Sequence, residues 1–322
     1  MPAPTSAQGL TPSQLTSFHE NGYLVIPNHL SQEDINSLLT TTHTLLDEFP
    51  LESHPMTRFT TGDDTENPSA KHVGDDYFLT SGDKVRFFFE QEAFSPTSST
   101  LLKPKHLAIN KIGHALHAHS EPFSNITQKG RVGERNAAIA ASLGFKDPRV
   151  LQSMLICKQP GIGGAVPPHR DSEFLYTDPP SAVGWWMALQ DATVGNASLG
   201  MCKGSHRRAG DRIKRRFVRA KDGAGTEFVE WEGNGFPKGL DVSEEEGKEV
   251  EEFETLDIKA GSLVLIHGNV LHKSEKNTSE KSRFAYTFHV IEGAEGWNYD
   301  ERNWLQPPED GSGFTRLYAD GA

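Results

Sequence analysis

Near its start the chain places apolar residues on one side of a 3.6-residue period twice. It then turns to short runs that repeat every second position. Thr11 as N-cap and Pro12 at the first helical position announce a helix carrying Leu15, Phe18 and His19 on one side. Tyr23-Leu-Val-Ile26 reads as a short strand closed by Pro27-Asn28, and Ser31 caps a second helix containing Ile35, Leu38 and Leu39. Residues 1–10, small and polar, predict a disordered terminus. Residues 49–75, rich in Pro, Thr and Asp without periodicity, predict a long surface loop. From Tyr77 onward the pattern predicts strands at 85–89 and 151–158, and a short helix at 111–118 (KIGHALHA). A Gly161–Gly164 turn leads into Val166-Pro-Pro-His-Arg-Asp171, and further strands follow at 185–189, 262–266 and 283–291. Strands at short spacing between Gly and Pro turns predict a β sandwich or barrel rather than a βαβ layout.

Composition narrows the classes. A length of 322 residues gives one large domain or two ordinary ones, enough to bury a core without disulfides. The formal net charge of −12 makes a nucleic-acid partner unlikely on physical grounds, because such a surface must be basic to release phosphate counterions. Cys157 and Cys202 have no close partner in sequence, which excludes a disulfide framework or a CxxC motif. The N-terminus lacks a signal-peptide pattern and no run reaches the ~18 apolar residues of a membrane helix, so the expectation is a cytoplasmic protein without a membrane partner. Two charge runs stand out: a basic one from Arg207 to Arg219 and an acidic one from Glu244 to Glu254. They read either as solvated loops of an insertion around 207–255, or as a basic cover over a pocket that recruits an anionic substrate.

Candidate chemistry centres on His169-Arg170-Asp171. If the strand continues, residues i and i+2 share a face, and an imidazole and a carboxylate project together. About a hundred residues on, an apolar run delivers His267 and His272, and Arg283 returns on the next strand. Two histidines and a carboxylate on one face form the facial triad of non-haem Fe(II) oxygenases, leaving positions for a 2-oxo acid and dioxygen. An arginine suits the far carboxylate of that acid. His272 is preferred over His267, whose odd offset points it to the opposite face of a straight strand unless Gly268 bends the chain. His289, six residues after Arg283, reads as a packed residue or one supporting the ligands.

These motifs resemble the phytanoyl-CoA dioxygenase family of Fe(II)/2-oxoglutarate oxygenases. The resemblance runs from Phe18-His-Glu-Asn-Gly-Tyr23 through Pro168-His-Arg-Asp-Ser172, Gly204-Ser-His206 and the His272 to Arg283 block to Asn303-Trp-Leu-Gln-Pro307. The SGDKVRFFFE and KIGHALH segments resemble a narrower group within it. The resemblance implies a mainly β fold with flanking helices, a double-stranded β-helix (jelly roll, cupin-like), formed by a single domain over residues 11–322. It implies Fe(II) held by His169, Asp171 and His272. It also implies 2-oxoglutarate held by Arg283 with Ser274, and Lys111, Met154 and Trp186 lining the co-substrate pocket. The expected reaction is hydroxylation of a small-molecule substrate by dioxygen. The competing expectation is a catalytically silent metal- or 2-oxoglutarate-binding sensor of the same fold. Lys203 and Gly200 depart from the family pattern, at positions the resemblance places near the mouth of the pocket.

Overall fold

The computed structural model describes residues 7–59, 76–98, 100–223, 225–248 and 250–318. Thr11 opens the first helix, Pro12–Asn21, with a reciprocal cap. Its hydroxyl accepts from the Gln14 backbone N–H at 3.3 Å, and the Gln14 side chain accepts from the Thr11 N–H at 3.0 Å. Removing such a cap costs about 1 kcal/mol. Thr11→Ala is therefore expected to lower the urea midpoint without changing the slope of the transition, and a changed slope would show a larger rearrangement. Ser31 and Asp34 cap the helix Gln32–Glu48 in the same reciprocal way. It buries Ile35, Leu38 and Leu46, while Leu39 packs half-buried against the same core. Of the segment predicted disordered, residues 1–6 lie outside the described residues, while Leu10 donates its N–H to Ser142 Oγ at 3.0 Å. Of the predicted loop, residues 60–75 lie outside the described residues, and residues 50–59 form no helix or strand.

The strands make two main antiparallel sheets and, among the described residues, two two-stranded ribbons, Arg215–Arg219 with Thr226–Glu230 and Thr177–Asp178 with Asn298–Tyr299. The large one runs Tyr23–Ile26, Leu263–His267, Val183–Ala188, Arg283–Glu292, Pro148–Lys158, Ile109–His114, Val85–Phe89, with Thr315–Arg316 also on Pro148–Lys158. The small one runs Glu254–Thr255, Leu199–Met201, His272–Ser274, Val166–His169. Alternation decides the two faces of the large sheet. Trp185, Met187, Tyr286, Phe288 and Leu155 pack on the helices, whereas Trp186, Ala188, Ala285, Val264 and Ile266 pack with Leu199 and Met201 of the small sheet. Two facing sheets with helices on the outer side of one are the double-stranded β-helix expected.

The segment 111–118 corrects the sequence reading. Residues Ile109–His114 are a strand inserted between Val85–Phe89 and Pro148–Lys158, and only Leu116–His119 forms a helical turn. Pairing on both edges overrides the local helical pattern. The basic run is also not a solvated loop. Arg208 pairs with Asp211 at 2.6 Å and Glu251 at 3.0 Å, Arg215 with Glu173 at 2.9 Å, and Arg216 with Asp300 at 2.8 Å. Arg219 donates to the carbonyls of Trp304 and Leu79. These guanidinium groups tie loops together inside the chain. Cys157 and Cys202 are free and buried, and no helix of the described residues is long and apolar enough to cross a membrane.

Candidate metal centre

Three side chains converge where the small sheet meets the helix that follows it. His272 and His169 sit directly opposite each other on paired strands, with ring centroids 4.2 Å apart. Asp171 does not continue the strand. It begins the short helix Asp171–Phe174, which brings its carboxylate to the rings by a turn of the backbone rather than by strand alternation. Gly268 makes that turn possible. Its carbonyl accepts from Ser172 N–H at 2.9 Å and its N–H donates to Ala182 at 2.8 Å. A Cβ there would lie 2.3 Å from Ser172 Oγ and 2.5 Å from the Ala182 oxygen, so no larger residue fits without moving the helix. Ser205, within the Gly-Ser-His motif, accepts from the Leu271 N–H at 2.8 Å and so anchors the chain one residue before His272.

The ligand atoms of His169, Asp171 and His272 all lie within 4.8 Å of one another. Asp171 Oδ1 is 3.5 Å from His169 Nε2 and 3.7 Å from His272 Nε2. Each histidine donates its Nδ1–H to a backbone carbonyl, His169 to Pro167 at 3.0 Å and His272 to Val270 at 3.1 Å. Those bonds fix the tautomer and aim both Nε2 lone pairs at the common centre. Burial, then the neighbouring His169, lowers His272 to about 4. Burial also works against a charged His169, but the hydrogen bond and charge of Asp171 outweigh it and raise this group. Burial acts to raise Asp171; nevertheless His272, His289 and His169 hold it well below the usual carboxylate range. A carboxylate between two imidazole nitrogens is a donor set that could hold a divalent cation.

Four of the remaining candidates lie on the inner face of the large sheet, where residues directly opposite across antiparallel strands share a side. One row is Gly184, His289 and Gln152; the next is Trp186, Thr287, Met154 and Gly113; the third is Ala188, Ala285, Ile156 and Lys111. Arg283 and Lys158 follow. Lys111, Met154, Trp186 and Arg283 are therefore brought to one wall. Arg283 is 1 % exposed, lies 5.3 Å from the Trp186 ring centre and donates Nη2 to the Ala197 carbonyl at 2.7 Å. Among the described residues its Nε and Nη1 are buried without a partner, and burial lowers the group to about 10. Unpaired buried guanidinium donors are expensive unless an acceptor meets them. Lys111 Nζ stands 3.5 Å from the Phe59 ring centre, and burial lowers it to about 7; among the described residues it makes no ion pair. Ser274 is buried two residues beyond His272 on the same strand.

His267 belongs to the other sheet. It ends the strand Leu263–His267, accepts from the Asn269 N–H at 3.1 Å, and packs against the His206 ring at 4.7 Å. The chain changes sheets between His267 and His272, which an offset argument along one straight strand could not show. Gly200 alternates with Leu199 and Met201, which face the interior, and its own face meets Lys273 and Phe253. His289 does more than pack: its Nε2 donates to Asp171 Oδ2 at 3.2 Å. The signal was present, because an even offset of six along a strand puts His289 on the Arg283 side. Gln152, which approaches His289 Nδ1 at 3.4 Å, had no such signal.

The phytanoyl-CoA dioxygenase (PhyH) family model matches residues 18–285. A phytanoyl-CoA dioxygenase of Arabidopsis thaliana is 39% identical over 297 residues, covering 92% of this chain and 94% of that protein. Phytanoyl-CoA dioxygenase domain-containing protein 1 of Mus musculus is 40% identical over 317 residues, covering 96% and 99%. Among solved structures, the non-heme alpha ketoglutarate dependent carbocyclase SnoK from nogalamycin biosynthesis superposes with a TM-score of 0.58 at 18% identity, covering 99% of this chain and 98% of its own. EctD from S. alaskensis, with 2-oxoglutarate and 5-hydroxyectoine, superposes with a TM-score of 0.52 at 17% identity, covering 90% and 78%. At these identities the structural likeness speaks for the fold.

Proposed function

The chain belongs to the phytanoyl-CoA dioxygenase family, and with it to the Fe(II)/2-oxoglutarate-dependent oxygenases; from that premise we propose that it hydroxylates an unactivated C–H bond of a small organic substrate, releasing succinate and CO2. One observation carries this reading. A two-histidine, one-carboxylate cluster, its Asp171 and His272 buried and its His169 half-buried, and an arginine with two donors unpaired among the described residues belong to the same interior. The donor set fits Fe(II), since two imidazoles and one carboxylate leave three of six positions open. An orphaned Arg283 donor, Nε or Nη1, fits the far carboxylate of a 2-oxo acid.

In this reading His169 Nε2, Asp171 Oδ1 and His272 Nε2 hold the metal. Arg283 pairs with the distal carboxylate, assisted by the Ser274 hydroxyl. Lys111, Met154 and Trp186 shape the wall along which the co-substrate lies. Bound Fe(II), with 2-oxoglutarate and dioxygen, supplies the oxidising power. The protein's own part is to orient the reactants and keep water out, which the burial of Arg283, Asp171 and His272 accomplishes. No side-chain general acid or base is required. A preference for anionic substrates gains nothing from the 207–219 run, whose arginines are engaged within the chain.

The test is 2-oxoglutarate decarboxylation by purified protein with Fe(II) and oxygen but no added substrate. Slow succinate release above the Asp171→Ala background is expected. Failure of the wild type to bind 2-oxoglutarate in the presence of metal would overturn the reading and leave a metal-binding protein of the same fold.

A further inference from the structure

Resting on the oxygenase reading of the same site, we propose that His289 is a positioning residue that holds Asp171 as a one-oxygen metal ligand, with Gln152 setting its tautomer. The two carboxylate oxygens have different surroundings. Oδ1 faces the His169 and His272 nitrogens at 3.5 and 3.7 Å, whereas Oδ2 turns away from them to His289 Nε2 at 3.2 Å. An imidazole nitrogen opposite a carboxylate oxygen is favourable only if the nitrogen carries the proton. Gln152 supplies the reason that it does. Its amide N–H approaches His289 Nδ1 at 3.4 Å, which uses the Nδ1 lone pair and leaves the proton on Nε2. Both side chains are more than nine-tenths buried, so water does not substitute for either bond.

Gly184 is the third part of the arrangement. It lies opposite His289 on the neighbouring strand, and a Cβ there would stand 3.4 Å from both Asp171 Oδ2 and His289 Nε2. A methyl would just touch the pair, and any longer side chain would have to displace it. The backbone thus leaves a slot in which the carboxylate and imidazole meet edge to edge. The consequence is chemical. A carboxylate free to rotate can chelate a metal through both oxygens and occupy a position the co-substrates need. With Oδ2 bonded to His289, Asp171 offers Oδ1 alone, and three positions stay open. His289 itself stays off the metal because its Nε2 is already spent on Asp171.

The experiment is Mn(II) titration of the full-length protein without co-substrate, followed by the loss of the free-ion EPR signal. Wild type, His289→Leu, His289→Gln, Gln152→Leu and Asp171→Ala are compared, with thermal midpoints of the metal-free proteins alongside. Outer hydrogen-bond partners of metal ligands are worth about 10–100-fold in affinity. His289→Leu is expected to lose about that much. His289→Gln, whose amide N–H reaches the place of Nε2–H, is expected to return to within about threefold of wild type, with Gln152→Leu in between. Equal Mn(II) affinity in His289→Leu and wild type would overturn the proposal. So would an equal loss in the Leu and Gln variants, because the ring would then matter only as packing. A wild type that binds no Mn(II) would overturn the metal-centre reading itself, a result distinct from either.

Discussion

Replacing Asp171 by alanine lowers Fe(II) affinity by more than about 100-fold and abolishes turnover while the fold survives. Loss of an outer partner of a metal ligand already costs about 10–100-fold, and Asp171 contributes one of only three ligand atoms together with the negative charge of the cluster. What remains is two imidazoles, and burial together with the neighbouring His169 disfavours the charged form of His272. The fold survives because the backbone bonds around Asp171 do not involve its side chain. Its carbonyl accepts from Leu175 N–H and the next N–H goes to Gly268, both at 2.9 Å. The variant leaves the His289 Nε2–H without an acceptor, a cost of about 1–3 kcal/mol, but it also removes the penalty of burying a carboxylate. Asp171→Asn separates charge from shape, and it is expected to keep the thermal midpoint and lose the metal. The measurements are Fe(II) titration, succinate formation and thermal unfolding of the same preparations. Unchanged turnover in Asp171→Ala would remove this cluster from the chemistry.

Much of this arrangement is legible in the sequence, and the reason differs from residue to residue. Thr11 and Ser31 cap their helices as read because a cap is a local event, complete within four residues. The strands at 183–188, 263–267 and 283–292 were found because each carries apolar side chains to buried faces over its whole length. The ligand residues were legible for a different reason, namely that few residue types can hold a metal and they recur at a recognisable spacing. The failures all involve partners distant in sequence. Lys111 was read on a helix because Ile112, Leu116 and their neighbours suit one. Its true setting is decided by Phe88 and Ile156, strand partners 23 and 45 residues away. Asp171 was assigned the correct neighbour by the wrong geometry, since Gly268, nearly a hundred residues on, holds the turn that presents it. The arginines of 207–219 looked like a surface because Glu173, Glu251 and Asp300, which neutralise them, lie elsewhere in the chain.

Arg283→Ala is expected to raise the 2-oxoglutarate concentration for half-maximal decarboxylation on the order of 100-fold, with metal affinity in the absence of co-substrate unchanged. The guanidinium lies outside the ligand cluster, and among the described residues its hydrogen bond goes to the Ala197 carbonyl. A buried unpaired donor is worth about 1.5–3 kcal/mol when it meets a charged acceptor. The upper figure for one such donor, about 3 kcal/mol, corresponds to roughly two decades in affinity. Two further substitutions separate this from a packing effect, since the side chain is fully buried beside Trp186. Arg283→Met keeps most of the volume and none of the donors, so it is expected to fall with alanine. Arg283→Lys keeps the charge without the planar fork and is expected to lie between them. Co-substrate affinity is read by titrating 2-oxoglutarate into the metal-loaded protein and metal affinity by titrating the apoprotein. If Arg283→Met bound 2-oxoglutarate as the wild type does, the distal carboxylate would have another partner. Lys111, a buried cation of the same wall that makes no ion pair among the described residues, would be the first to replace.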